Sequence, residues 1–336
     1  MPIIHFLNVK TGDCSIVEHF SGHLTVIDVC NAYIPNATLE AVRIYLGGPP
    51  TRGVPGDFKQ KENPVNPISY LKERGINDVF RFVVTHPDMD HMDGIKAFFG
   101  EFSPTNFWDT DNDESKEFGK GSNGGFDEED WKFYKKLRDG KPKNDPKRLA
   151  LYAGARGQYY NRDEDGTGGG DGIYVLAPTP ELVREANESG DYNDCSYVLL
   201  YRTGGHRILF GGDSHDKTWE HILKNYEEDV TDVDLLVAPH HGRGSDRSYE
   251  LLDVLKPALT LFGNADSEDL AYSAWNYRDL PIITNNQAGC LLADAEGESI
   301  KVYVTCKAFA MESNSHTFAS SAYKDYHYWG TIAKKS

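Results

Sequence analysis

The stretch Val79-Phe80-Arg81-Phe82-Val83-Val84-Thr85-His86-Pro87-Asp88-Met89-Asp90-His91 runs from a nearly continuous apolar segment straight into two imidazoles and two carboxylates. Its first half, Val79–Thr85, predicts a buried strand of the kind found in a sheet covered by helices. Side chains on loops at strand ends are frequent carriers of chemistry. Imidazole nitrogen and carboxylate oxygen are donors that zinc, manganese and iron accept. A turn leaving the strand can fold His86, Asp88, Asp90 and His91 towards one point, with Pro87 restraining the backbone and Gly94 permitting a close approach just beyond. The plain alternative is a solvated acidic turn in which Asp90 or Asp93 caps a following helix. So many donors within six residues argue against it.

Two later segments end in the same way. Ile208-Leu209-Phe210-Gly211-Gly212-Asp213 carries an apolar strand into a carboxylate that can bridge two cations; its competing role is an N-cap for a helix over His215–Asn225. Leu235-Leu236-Val237-Ala238-Pro239-His240-His241-Gly242 ends in a histidine pair, read as one ligand and a second functional histidine. Around these lie paired strands at Ile3–Val9, Ser15–His19 and Leu24–Val29, a helix at Thr38–Leu46, a loop over Gly47–Pro67 and a helix at Ile68–Arg74. A strand at Ile173–Ala177 and a short helix at Pro180–Asn187 follow, then a hairpin of Ser196–Thr203 and Arg207–Gly211 about Gly204-Gly205. A helix over Arg247–Leu255 precedes strands at Ala258–Phe262, Pro281–Thr284, Gly289–Ala293 and Ile300–Thr305. Strands first, then strands alternating with helices, predict an α/β fold: a four-layer αββα sandwich of two mixed sheets with outer helices.

With 39% hydrophobic and 26% charged residues, the 336-residue chain is neither wholly disordered nor a coiled coil nor collagen-like. No apolar run approaches the roughly 20 residues of a membrane helix. The opening MPIIHFLNVKTGD lacks the features of a secretion signal, so a cytoplasmic protein away from the membrane is expected. Five cysteines without a CxxC pair predict neither a disulfide framework nor a cysteine zinc site; Cys14, Cys30 and Cys195 read as small core residues. A net charge of −17 argues against coating nucleic acid through the overall field.

Residues 101–172 read as an inserted charged segment. Glu101–Asp130 has ten acids against two lysines, whereas Trp131–Arg156 has nine basic residues against two acids. Trp131–Arg138 would be a helix with Lys132, Lys135, Lys136 and Arg138 mostly on one side. Gly166–Gly172 would be a flexible tether. Residues 1–310 then form one domain carrying this insertion, and 311–336 a polar, aromatic tail without usable period. Tyr323, Tyr326, Tyr328 and Trp329 of the tail are expected to pack back on the fold, although stacking on bases or a dimer contact is open to them.

HPDMDH, the Gly-Gly-Asp after a hairpin, and APHHG together resemble the metallo-β-lactamase fold superfamily. That family's usual first motif is HxHxDH; here Asp88 stands in place of the middle histidine. The HxDxDH form, with Asn193-Asp194-Cys195-Ser196 before the hairpin and PHHG afterwards, is similar to the hydrolase domain of bacterial DNA-uptake channels (ComEC type). The opening FLNVKTGDC and the aspartate ending LTVID, Asp28, match as well. The resemblance runs from residue 3 to about 263. It implies that His86 and Asp88 hold one divalent ion, Asp90 and His91 a second, Asp213 lies between them, and His240 completes the second site. Asp28 would be structural. The family's remaining histidine has no counterpart in Asn193–Ser196, so Asn193 or Asp194 is the candidate substitute, which moves the expected metals from zinc alone to zinc or manganese. His241 is left as an alternative ligand or as a substrate-binding residue, and Arg243 as a possible contact to metal or substrate.

Two such ions would ionise a water for attack and clamp developing negative charge, with Asp90 orienting the water or taking its proton. The leading expectation is a phosphodiesterase or nuclease acting on a nucleic acid or nucleotide phosphodiester, supported by His241, Arg243 and Arg247. The basic stretch Lys132–Arg148 would add a nucleic-acid patch, or else pair with the acids upstream as a solvated face. The competitors are a hydrolase of a lactone, thioester or β-lactam, and a non-catalytic metal-binding interaction module with an unknown protein partner.

Overall fold

The computed structural model describes residues 1–34, 56–119, 125–140, 146–162, 169–313 and 322–334. The helix expected at Thr38–Leu46, and the first part of the loop after it, lie outside these residues. Two mixed β-sheets pack face to face. The first has nine strands in the order β15-β14-β13-β1-β2-β3-β4-β5-β6, the second six in the order β12-β11-β10-β9-β8-β7. In the first sheet these are β1 Ile3–Phe6, β2 Ser15–Glu18, β3 Leu24–Ile27, β4 Arg81–Val83, β5 Asn106–Trp108, β6 Lys147–Leu149, β13 Leu291–Asp294, β14 Ser299–Val304 and β15 His327–Ala333. In the second they are β7 Ile173–Ala177, β8 Val198–Thr203, β9 His206–Phe210, β10 Leu235–Val237, β11 Leu259–Phe262 and β12 Ile282–Thr284. Strands β3 to β6 run parallel, as do β9 to β12, and the other neighbouring pairs are antiparallel.

Strand alternation divides the core into layers. Ile4, Phe6, Val17, Ile27 and Val83 of the first sheet meet Val175, Leu199, Ile208, Phe210 and Val237 of the second in one buried cluster. The intervening residues Ile16, Val26, Phe82 and Phe107 face outwards onto α1 (Pro67–Glu73), α2 (Ile95–Phe102) and α3 (Glu128–Asp139). Leu176, Leu200, Leu209 and Leu236 likewise pack on Trp219 and Ile222, which lie on the helix Asp216–Val230. The result is the expected helix–sheet–sheet–helix sandwich. Among the described residues no helix is long and apolar enough to cross a membrane. All five cysteines are buried and free.

The segment at 101–172 is woven into this body. It supplies β5 and β6 to the first sheet, and Trp131, Tyr134 and Leu137 of α3 to the outer core. Among the described residues its basic side chains do not form one open face. Arg138 is buried and bonded to Asn112, Glu114 and Asp139; Lys132 pairs with Glu128 and Glu129, and Arg148 with Asp109. The expected tether contains a buried anchor: Asp171 lies 3.0 Å from Arg81, both side chains being 1% exposed, and accepts from Ser21. The tail also belongs to the fold. β15 pairs with β14, and Tyr326 is fully buried with its hydroxyl 2.6 Å from that of Tyr70. The helix expected over Arg247–Leu255 is reduced to Leu252–Leu255, since Arg247 is drawn towards the loops at the strand ends.

Candidate metal centre

The loops leaving β3, β4, β9 and β10 meet at one edge of the sandwich. Asp28 follows β3 in a left-handed conformation (φ 58°), in which Asp is among the better tolerated residues. It accepts from Thr85 N at 2.7 Å, from Thr85 Oγ1 at 2.6 Å and from His91 Nδ1 at 2.8 Å, which ties the HPDMDH turn to the neighbouring strand. Gly12 makes room for the same turn. A Cβ there would lie 1.7 Å from the Asp90 carbonyl oxygen. A Cβ on Gly94 (φ 89°) would lie 1.8 Å from the Ala32 carbonyl oxygen, the close approach expected there.

Asp213 is the meeting point. Its Oδ1 lies 3.4 Å from His91 Nε2; its Oδ2 lies 3.7 Å from His86 Nε2, 3.8 Å from His241 Nε2 and 3.6 Å from His240 Nε2. Asp88 Oδ2 is 3.5 Å from His86 Nε2, and Asp90 Oδ2 is 3.6 Å from His241 Nε2. Two donor groups result, His86 with His91 and Asp213, and Asp90 with His91 and His241. The sequence-derived residues His86, Asp88, Asp90, His91, Asp213, His240 and His241 thus converge. Asp194 is in neither group, and Asn193 Oδ1 is buried without a hydrogen-bond partner. Asp194 Oδ1 instead lies 3.2 Å from His215 Nδ1, beside Asp191. Arg243 follows the histidine pair and donates its backbone N–H to the His240 carbonyl at 2.9 Å. Arg247 is not an open substrate cation. It is 8% exposed and donates to Ser214 O at 3.0 Å, Asp213 O at 2.6 Å and His240 Nδ1 at 2.8 Å.

Hydrogen-bond partners sort the four histidines. A carboxylate can only accept, so His91 donates from Nδ1 to Asp28, and His241 faces Asp13 through Nδ1 at 3.0 Å. Thr85 Oγ1 donates to Asp28 and is therefore left to accept from His86 Nδ1 at 3.2 Å. In all three neutral rings the lone pair is on Nε2. These Nε2 atoms are buried without a hydrogen-bond partner, as are Asp213 Oδ1 and the facing pair His241 Nδ1 and Asp13 Oδ1, whose contact is ionic. Lone pairs turned towards a carboxylate across 3.4–3.8 Å are unfavourable unless a positive charge stands between them. Tetrahedral ligands on an ion with bonds of about 2.0 Å lie roughly 3.3 Å apart, so the spacing suits a small divalent cation. The donor set fits the expected metals. The outward nitrogens of His91 and His86, bonded to Asp28 and Thr85, have the partners that orient metal-binding histidines, while that of His241 is in ionic contact with Asp13 without an aligned hydrogen bond.

The electrostatics make the same demand. Burial alone would lower the pKa of His91, but Asp213 and Asp28 outweigh it and hold it well above the ordinary value. His241 is pushed up to about 10, because Asp13 and Asp213 overcome burial. Burial raises Asp213, yet His91, His241 and His86 bring it well below the usual carboxylate range. Asp90 is lowered too, by His241 and His91 against burial. The cluster calls for positive charge, supplied by protons or by cations. His240 differs: burial, Arg247 and Arg243 lower it to about 3 despite Asp213.

Sequence reasoning assigned no role to two groups here. Asp13, in the Gly12-Asp13 turn, orients His241. Lys116, from the acidic stretch, reaches Asp88 Oδ1 at 3.0 Å and is 12% exposed. Only the GD turn gave any signal for the first; nothing in the local pattern marked the second.

No protein-family model matches the chain, and no curated protein does. Among solved structures it is similar to Tm1679, a metal-dependent hydrolase of the β-lactamase superfamily, at 12% identity over 84% of this chain and 96% of that one, with a TM-score of 0.45. It is similar to Igni18, a metallo hydrolase from the hyperthermophilic archaeon Ignicoccus hospitalis, at 11% identity over 84% and 94%, with a TM-score of 0.43. A variant of the CmlA β-hydroxylase aligns at 12% identity over 77% of this chain, with a TM-score of 0.42; the chain spans 45% of that protein's length.

Proposed function

We propose that the chain is a metal-dependent hydrolase of the metallo-β-lactamase superfamily, acting on a phosphodiester, with zinc or manganese ions held by His86, Asp88, Asp90, His91, Asp213 and His241. The observation that supports it is the convergence of three partnerless Nε2 atoms on the Asp213 carboxylate. Two divalent ions there would supply an acidified water and positive charge for the oxygen on which negative charge develops. Asp90 orients the attacking water, and Asp28, Asp13 and Thr85 keep the imidazoles aimed. Of the two adjacent histidines, His241 is assigned as the ligand because Asp13 leaves its Nε2 lone pair free.

Lys116 near Asp88 and Arg243 beside the histidine pair favour an anionic substrate over a neutral acyl compound. The pairing of Lys132, Arg138 and Arg148 with acids, together with the net charge of −17, favours a short nucleotide phosphodiester over long duplex DNA. The ComEC-type affinity of the motifs belongs to the same reading, as does a cytoplasmic setting. The test compares metal-free, zinc-loaded and manganese-loaded protein on bis-p-nitrophenyl phosphate, dinucleotides, single-stranded DNA, a lactone and nitrocefin. Loaded protein should cleave the phosphodiesters, and Asp90→Ala should abolish this. Turnover of the lactone or nitrocefin alone would replace the proposal with an acyl hydrolase. Less than one ion per chain after loading would leave a non-catalytic module.

A further inference from the structure

Four histidines surround Asp213, and one is built differently. His86, His91 and His241 have no side-chain exposure, whereas 17% of the His240 side chain is exposed at the edge of the site. Arg247 Nη1 lies 2.8 Å from His240 Nδ1. A guanidinium can donate but never accept, so Nδ1 must accept, and the neutral ring carries its hydrogen on Nε2. That is the opposite tautomer to the one Asp28 imposes on His91 and the nearby Asp13 carboxylate favours in His241. A ring with Nε2–H has no lone pair there for a cation.

We propose that His240 is not a metal ligand but a hydrogen-bond donor through Nε2, fixed in that tautomer by Arg247 and directed at an anionic oxygen of the bound substrate. Nε2 stands 3.6 Å from Asp213 Oδ2, beyond good hydrogen-bond distance, so its hydrogen is not committed to that carboxylate. Arg247 is a positioning residue with little freedom to move. Nε and Nη2 are bonded to the backbone oxygens of Ser214 and Asp213, and Nη1 also donates to Ser245 O at 3.2 Å. The same guanidinium therefore holds both the Asp213 loop and the His240 ring. Consecutive left-handed residues at His240 (φ 50°) and His241 (φ 58°) bring both rings of the pair to the site, one as a lone-pair donor and one as a proton donor. The ligand class is an oxyanion, such as the non-bridging oxygen of a phosphoryl group. Only that identity rests on the proposed function; the tautomer and the absence of metal ligation do not.

The test uses side-chain deletions to glycine, which the positive φ at both positions accepts. After zinc loading, His240→Gly should retain the wild-type metal content, while His241→Gly should lose one ion per chain. In wild-type protein, ¹⁵N-edited NMR of the imidazoles should show His240 with hydrogen on Nε2 and a bare Nδ1, and Arg247→Met should convert this signal to a mixture of tautomers. On bis-p-nitrophenyl phosphate, kcat/KM of His240→Gly should fall about 10²-fold or more, as for loss of one oxyanion donor. Loss of an ion in His240→Gly, or hydrogen on Nδ1 of His240 in the wild type, would overturn the proposal. Should the variant fail to fold, the wild-type NMR signal alone decides. If the wild type cleaves no phosphodiester, the proposed function fails, while metal content and tautomer still judge His240.

Discussion

Replacing Asp28 by Asn isolates the orientation of one imidazole. The substitution keeps shape and suits the left-handed backbone (φ 58°), where Asn is well tolerated. In the wild type, Asp28 Oδ1 accepts from Thr85 N, and Oδ2 accepts from Thr85 Oγ1 at 2.6 Å and His91 Nδ1 at 2.8 Å. The amide can retain the first bond through its oxygen. Its NH₂ then occupies the Oδ2 position and faces His91 Nδ1–H, donor against donor. The ring relieves this by moving its hydrogen to Nε2 or by rotating away from Asp213. Either change removes the His91 lone pair, which belongs to both donor groups. Loss of such an orienting partner costs about 10–100-fold in metal affinity. That corresponds to about 1.4–2.7 kcal/mol. Competition titration of zinc against a chelator, with circular dichroism to verify folding, measures the effect. Wild-type affinity for both ions in folded Asp28→Asn would refute the assignment of His91's hydrogen, and with it the sorting of the histidines.

Other consequences can be measured separately. Gly12→Ala forces the Asp90 carbonyl to shift and should cost about 1–3 kcal/mol in chemical denaturation, with reduced metal content; an unchanged midpoint would show that the turn has slack. Arg81→Met leaves the Asp171 carboxylate buried without its charge partner and should destabilise by about 3–5 kcal/mol, much of it recovered when Asp171→Leu is added; equal melting of the single and double variants would contradict this. Burial lowers the pKa of His19 from 6.5 to about 4. Its contribution is therefore present above pH 6.5 and lost as pH falls through 6.5 towards 4, a change of about 3 kcal/mol. Denaturation midpoints across that range should flatten in His19→Gln, and an equally steep profile in the variant would place the acid sensitivity elsewhere.

The strand-end chemistry was legible because its signals are local. An apolar run followed by closely spaced imidazoles and carboxylates constrains both the element and the direction in which its loop opens. The layer order followed from alternation and from the order of strands and helices. What escaped depends on partners far along the chain. Arg81 and Asp171 read as a strand residue and a tether residue, and only folding brings them within 3.0 Å. β5 and β6 have three residues each, too short for periodicity, and β15 is mostly half-buried at an edge, so its alternation is weak. Arg247 read as a substrate cation because a window of sequence does not reveal that backbone carbonyls of Asp213 and Ser214 wait for it. The choice within His240-His241 was likewise undecidable from spacing, since it turns on Asp13 and Arg247 at opposite sides of the pair.

One feature of the larger sheet bears on how the protein is made. Strand β1 is internal, flanked by β2 on one side and by β13 on the other. A growing polypeptide can form the β1–β2 pair almost at once, but the opposite flank has no partner until residues near 291–294 have left the ribosome. Until then Ile3–Phe6 presents open backbone hydrogen-bonding groups and apolar side chains, a template for pairing with other nascent chains. Translational pausing, chaperone capture and sensitivity to premature termination should all concentrate on the interval before that last partner emerges.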